Sequence, residues 1–507
     1  MVCSVDERAT AVGLAVMEHG GSAADAAIAA NAVLAVTCQH MCGLGGDLFA
    51  LVHTGTGPPE VLNASGRAGS GASAAALRAE GHHQVPQRGH MAAVTVPGCV
   101  DGWLALHARH GRLPLGELLS PAIELAADGF VPSGLLVLAS TLLDDIPGAT
   151  ELAGLEADRL VRRPGLADTL RQVATGGRDS FYRGAFGQML VALGAGQFTD
   201  TDLTRSHAEW VDPLGLPLHD RLVWTVPPNS QGYLTLAGAG IAERVGWPDR
   251  ETALWAHVGI ESARAAAHDR PRVLHDEADG AELVADDRLA ERAARIRPDR
   301  SVPWADRYDE GGTMYLCAAD DRGMAVSLIQ SNARDFGSLL VAGDTGVFLH
   351  NRGLGFSLVP GHPAELAPGR RPPHTLAPAL VTDLDGDLVA VLGTMGGDAQ
   401  PQVMLQLLAR LLVGDLPPGE CVGAPRWVLA SPDPRSGFDT WSSGGRVQVH
   451  LEGDAPADWR PGLVERGHLV AQFDHPTAYG HAHMIVRTDQ GWAGAADPRA
   501  QGLAAGL

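Results

Sequence analysis

Residues 311–331, GGTMYLCAADDRGMAVSLIQS, constrain the fold more than any other stretch of this chain. Two short apolar runs, Met314 to Ala319 and Met324 to Ile329, are joined by the four residues DDRG. Strand-length runs separated by so short a polar turn read as an antiparallel hairpin. Further strands are expected at LVAVLG from Leu388 and HAHMIVRT from His481, with a helix from about Pro401 to Val413. Helical patterns dominate elsewhere, at 9–19, in SAADAAIAANAVLAV, and from Pro121 to Leu193, with loops at VPSG and TGGRD. Strands in runs with helices kept apart from them indicate an α+β layered sandwich. At 507 residues the chain exceeds one ordinary core, so one large layered domain or two to three subdomains are expected. No internal repeat is present.

Local signals fill in the layers. The first helix stops at Gly20-Gly21, and Ser22 with Asp25 has the spacing of a capping box. The alanine-rich face that follows suits close packing on a sheet. Gly43-Leu44-Gly45-Gly46 has two readings, a phosphate cradle or a tight turn where backbones approach closely. It leads into a strand rather than a helix and lacks the dinucleotide fingerprint, which favours the turn. VDPLGLPLHDRLVWTVPPNSQGYLTLAGAG reads as a strand, a proline-rich turn and a helix, and residues 284–312 as surface helix plus charged linker.

Composition excludes some functions. A net charge of −21 argues against nucleic acid as a partner. No run of apolar residues is long enough for a membrane span or a signal peptide. Six cysteines without metal-type spacing read as reduced thiols, and a cytoplasmic location is expected. His481 and His483 fall on one strand face, but no third ligand lies nearby in sequence, so neither a metal nor a cofactor is expected. His82 and His83 read as a solvated loop.

Thr313 after Gly311-Gly312 is either a loop residue entering a strand or a nucleophile. If the peptide bond before it is cut, the freed α-amine titrates near about 7.7–8.0 and can take the hydroxyl proton. Gly312, lacking Cβ, lets the backbone bend as Thr313 attacks the preceding carbonyl. Such chemistry needs an oxyanion site. Gly396 and Gly397 in VLGTMGGDAQPQ, between a strand and a helix, offer two consecutive N–H groups, although a plain turn reads the same way.

With these stretches, GGSAADAAIAANAVLAV, GLGGDLFALV, TVPGCVDGW, LLSPAIELAADGF, FYRGAFGQML, PPNSQGYLTL, RRPPHTLAPAL, GAPRW and GAADPRAQGLAAG complete an ordered set. It resembles the gamma-glutamyltransferase family of N-terminal nucleophile hydrolases over nearly the whole chain. The resemblance implies a four-layer αββα sandwich and a precursor that cuts itself between Gly312 and Thr313. The products would be a large subunit, 1–312, and a small subunit, 313–507, associated with each other and possible in a dimer of such heterodimers. Thr313 would form an acyl-enzyme, Gly396 and Gly397 the oxyanion site. Ser331 would assist the threonine, Asn332 would lie near the substrate, and Thr375 with His374 would stand where family members use two serines around the substrate carboxylate.

Departures from the glutamyl-specific pattern bear on the substrate. In NASGRAGSGAS the expected carboxylate-binding arginine is Ser65, with Arg67 two residues later. In HNRGLGFS the acidic positions that hold the substrate amine become Arg352 and Gly355. Replacing an anion by a cation disfavours an ammonium group and favours a carboxylate or oxo-acid. NRGLGFS, SLIQSN and GTMGGDAQPQ look instead like the oxamate amidohydrolase branch and its relatives in actinobacterial specialised metabolism. That implies an acidic, oxalyl-type small-molecule substrate with a C–N or C–C scissile bond. The competing expectations are an ordinary γ-glutamyl hydrolase or transferase acting on glutathione-like substrates, and an uncleaved non-catalytic binding protein.

Overall fold

The computed structural model describes residues 1–248, 252–304, 306, 308, 311–430, 447–474 and 477–507. The expected hairpin forms, with strands Met314–Ala319 and Met324–Ser331 and Asp320–Gly323 as its turn. It lies at the centre of a seven-stranded antiparallel sheet. In spatial order the strands are Leu503–Ala505, Val2–Ser4, Met314–Ala319, Met324–Ser331, Asp47–Thr54, Glu60–Ala64 and Glu209–Val211. Strands from both sides of residue 312 therefore alternate within one sheet.

A second antiparallel sheet has six strands, in the order Gly491–Ala496, Ala482–Thr488, Leu388–Thr394, Ala379–Asp383, Arg221–Thr225 and Leu214–Leu218. The sheets face each other across a core that includes Phe49, Tyr315, Ile329, Leu380, Val391 and Ile485. The approach is close at Gly393, where a Cβ would come within 2.2 Å of the Tyr315 ring. On the outer face of the larger sheet pack Glu7–Glu18, Ala23–Thr37 and Cys99–His110, and on that of the smaller one Tyr233–Val245 and Gln400–Leu408, while Leu115–Asp128 and Ala253–Ala267 pack against these helices. The architecture is the four-layer αββα sandwich.

The helix Ala23–Thr37 shows why this sequence folds so. Every one of its residues is buried, which its alanines permit because they let a helix sit flush against strands and neighbouring helices. Ser22 and Asp25 cap each other's backbone N–H, satisfying two donors that burial would otherwise leave unmet. The glycine turn before Asp47 is a site of close approach. A Cβ at Gly45 would lie 2.0 Å from the Phe348 carbonyl oxygen, and one at Gly46 2.3 Å from that of Ser331.

Some sequence expectations change. Residues 214–225 form two strands around a turn, not one, because His219 and Asp220 reverse the chain. TGGRD is a kink at Gly177, at φ 59°, within Pro164–Tyr182 rather than a loop. A small mixed sheet of Trp427–Ala430, Gln448–Leu451 and Leu469–Gln472 was not anticipated. Asp286–Ala293 is the surface helix expected within 284–312, while residues 305, 307, 309 and 310 of the linker that follows lie outside the described residues. The six cysteines are free and buried. No helix among the described residues is long and apolar enough to cross a membrane.

Candidate active site

The hairpin register brings the central residues together. Met314 pairs with Gln330, so one step further out Thr313 stands opposite Ser331. Thr313 is buried, and its hydroxyl donates to the Gly312 carbonyl oxygen at 2.7 Å. Ser331 donates to the same oxygen at 2.6 Å, and the two hydroxyl oxygens are 3.4 Å apart. The Ser331 hydroxyl in turn accepts the Ala333 N–H at 2.8 Å, and Gly312 N–H donates to the Ala333 carbonyl at 3.0 Å. Ala333 holds φ at 75°, a conformation that L-residues rarely adopt. The strained turn after Ser331 therefore clamps Gly312 by both its N–H and its carbonyl. Two hydroxyls converging on one carbonyl oxygen polarise that carbonyl toward nucleophilic attack.

Gly396 and Gly397 lie beside this point, at φ 131° and 57°. A Cβ on Gly311 would be 3.2 Å from the Gly397 Cα. Positive φ at both positions is what the sharp exit from Leu388–Thr394 into the following helix requires, and glycine adopts it without cost.

Behind Gly397 runs a buried polar chain. Gln231 donates to the Gly397 carbonyl at 3.0 Å and to the Thr375 carbonyl at 2.9 Å. The Gln231 side-chain oxygen accepts from Arg270 at 2.9 Å, and Arg270 makes a two-point pair with Asp398 at 2.6 and 2.9 Å. Arg352 donates to the Thr375 hydroxyl at 3.1 Å. Burial lowers the Arg352 pKa to about 10, with Asp398 and Asp47 opposing, so it remains a cation near neutrality. His374 Nε2 is 3.2 Å from Asp47 Oδ2. Burial holds this imidazole at about 4, hence neutral, against the pull of Asp47. Burial alone would raise the Asp47 carboxyl, but His350, His374 and the Gly66 N–H hold it at about 2.

Of the residues expected from sequence, Thr313, Gly312, Ser331, Gly396 and Gly397 gather at one point, and Arg352, His374 and Thr375 form the adjoining polar end. Asn332 is buried next to Ser331 and donates to the Gln39 carbonyl at 3.1 Å. Arg67 is not brought to this group: its described contacts are the Glu209 carboxylate at 2.9 Å and the Gly369 carbonyl at 3.1 Å. Ser65, at the expected arginine position, is buried against Asn63 and Asn229. Gly355 has no room for an acidic side chain, since a Cβ there would lie 2.4 Å from the Pro373 carbonyl oxygen. Gln231, Arg270, Asp398 and Asp47 were not singled out from sequence, although all but Arg270 sit inside the quoted motifs. Their roles depend on partners hundreds of residues away.

Neither histidine pair makes a convincing metal site. His483 stacks on Tyr315, with ring centroids 6.2 Å apart, and is buried with His481. Glu80, His82 and His90 group at the surface among the described residues. There His90 Nδ1 accepts the Ala92 N–H.

The fold and the geometry at residue 313 define an N-terminal nucleophile type of hydrolase. Comparison with known proteins gives the particular group. The gamma-glutamyltranspeptidase family model matches residues 9–507, and the chain belongs to this family. It is 38% identical to the oxamate amidohydrolase proenzyme of Klebsiella pneumoniae, over 97% of this chain and 96% of that protein. To the glutathione hydrolase-like YwrD proenzyme of Bacillus subtilis it is 35% identical, over 100% and 98%. The crystal structure of cephalosporin acylase from Bacillus halodurans superimposes with a TM-score of 0.90 at 32% identity, covering 99% of this chain and 94% of that one.

Proposed function

We propose that the chain is a self-processing hydrolase that removes an acidic, oxalyl-type acyl group from an amide, with Thr313 as nucleophile. The observation that carries the substrate reading is Arg352, a buried cation bonded to Thr375 and linked through Gln231 to Gly397. In a glutamyl-specific site this end would hold an ammonium group. A cation here favours a carboxylate, and oxamate, the substrate in the name of the Klebsiella relative, carries one directly beside its amide carbonyl.

Maturation comes first. Thr313 Oγ attacks the Gly312 carbonyl carbon while Ser331 stabilises the developing oxyanion, and the acyl group shifts from nitrogen to oxygen. That shift breaks the Gly312–Thr313 C–N bond and frees the α-amine, which takes the hydroxyl proton; water then hydrolyses the ester, restoring the Thr313 hydroxyl and leaving subunits of 312 and 195 residues. In turnover that amine takes the Thr313 hydroxyl proton as Oγ bonds to the substrate carbonyl carbon. The Gly396 and Gly397 N–H groups receive the oxyanion. The C–N bond breaks, the amine departs with the proton, and water hydrolyses the acyl-enzyme. The same attack serves an activated ketone, whose leaving group is then a stabilised carbanion.

The test is oxalate release from oxamate, from an oxalyl-substituted pyrroline acid, and turnover of a γ-glutamyl anilide. Oxalate from the first supports amide hydrolysis, and from the second, carbon–carbon cleavage. Robust turnover of the anilide alone would show that Arg352 does not select the acid. A chain that stays in one piece on a denaturing gel would instead be the uncleaved binding protein.

A further inference from the structure

At Gly396 lies a cavity of about 600 Å³ whose described lining does not include Arg352. It reaches Gly311, Gly312 and Gly396, so it opens directly onto the scissile position. Its described walls combine apolar side chains, Met41, Met395, Phe473 and Leu135, Leu138 and Leu142 from the region of the helix Gly134–Ser140, with polar ones that include Tyr308, Arg334, Asp335 and His450. This volume is within the range of sites for whole small molecules, whereas the ammonia released from oxamate needs room for one heavy atom.

Two side chains lining this cavity, His40 and Tyr308, have buried polar atoms without a hydrogen-bond partner among the described residues, and His40 has two. His40 is 4% exposed, and neither of its ring nitrogens has a hydrogen-bond partner among the described residues. Buried polar atoms are ordinarily satisfied, and an exception at a cavity wall beside a reactive centre points to a ligand group that completes it. The carbonyl of the same residue lies 3.6 Å from where a Cβ on Gly312 would be, so His40 adjoins the scissile bond. Burial, reinforced by His481, holds its pKa at about 3, so the ring is neutral and offers one donor and one acceptor.

We propose that this cavity is the leaving-group subsite, which takes a bulky, largely apolar amine or carbon fragment with one heteroatom directed at His40. The inference rests on the acyl reading above, which assigns the acid to the Arg352 end. The natural substrate is then an acidic acyl group on an apolar carrier, rather than a small free amide. In each turnover the bond from acyl carbon to carrier breaks as Thr313 Oγ takes its place, and the carrier leaves with the proton from the α-amine.

The test compares N-methyloxamate with N-hexyloxamate, whose leaving amines have nearly the same basicity. kcat/KM for the hexyl compound is expected to exceed that for the methyl compound by at least about tenfold, from burial of the longer chain. Leu138 is 65% exposed at the mouth, so Leu138→Glu leaves the core intact; it is expected to bring the ratio close to one. A ratio near one in the unaltered enzyme, or one untouched by Leu138→Glu, would overturn the subsite. His40→Phe keeps the ring and removes its nitrogens. It is expected to lower kcat/KM for both compounds, with His40→Asn restoring part of the loss, and an unchanged rate would remove His40 from the subsite. If neither oxamate is cleaved, the acyl reading has failed, and the cavity is tested alone by fluorescence titration of Thr313→Ala with N-phenyl-1-naphthylamine. Saturable one-site binding weakened by Leu138→Glu supports the subsite, and the lack of saturable binding overturns it.

Discussion

The two sides of Gly396–Gly397 are built on opposite principles. On one, Arg352, Thr375, Gln231, Arg270 and Asp398 form a connected buried chain of hydrogen bonds and ion pairs. On the other, a partly apolar hollow holds His40, whose ring nitrogens meet no partner among the described residues. A connected buried network fixes geometry and tolerates little change. Such a hollow tolerates variation in shape and rewards size. The difference implies strict recognition of the acyl head and permissive recognition of what it is attached to.

The harshest test of this contrast is at the junction itself. Thr313→Ala removes the proposed nucleophile and is expected to leave one 52.9 kDa band on a denaturing gel, with no measurable turnover. On the strict side, Arg352→Glu places an uncompensated negative charge where a carboxylate is to bind. A loss of about 100-fold or more in kcat/KM for oxamate is expected by initial-rate kinetics. Ser331→Ala removes one of two donors to the Gly312 carbonyl. It should slow maturation by about tenfold or more, followed as disappearance of the full-length band, while the mature enzyme is less affected. Thr375→Val takes away one acceptor of Arg352 but not its charge. Up to about tenfold is expected, mostly in KM, and an effect as large as that of Arg352→Glu would mean that the hydroxyl, not the cation, selects the acid.

The smallest effect lies on the permissive side and concerns pH. The folded-state pKa of His40, about 3, is below its ordinary 6.5, so the unfolded chain binds the extra proton between these values. Its contribution to stability is complete above pH 6.5 and is lost as pH falls toward 3. His40→Phe should therefore reduce the drop in thermal midpoint between pH 7 and pH 5, measured by scanning calorimetry. An identical drop in both proteins would indicate that the ring is hydrated and already satisfied.

Much of this was legible before any coordinates. The hairpin is local, and so is the turn at Gly396–Gly397, because glycine and strand spacing carry their own geometric meaning. Arg352 was legible as a departure in charge. Arg67 was not, since only the fold shows that Glu209, 142 residues away, captures its guanidinium. His40 was equally silent. In CQHM it has no pattern around it, and its meaning arises when Gly312, Gly396 and a distant leucine helix close a hollow over it.

The alternation of strands in the larger sheet has one more consequence. Val2–Ser4 lies between Leu503–Ala505 and Met314–Ala319, and Asp47–Thr54 pairs with Met324–Ser331. Pieces severed at residue 312 would be woven together, each supplying strands the other needs, so neither has a complete core by itself. The intact chain can find this weave as one connected molecule. After a cut, the same assembly would become a bimolecular encounter between two incomplete folds. Thermal unfolding is then expected to be reversible, if at all, only before maturation, making the cut a step that trades refolding for activity.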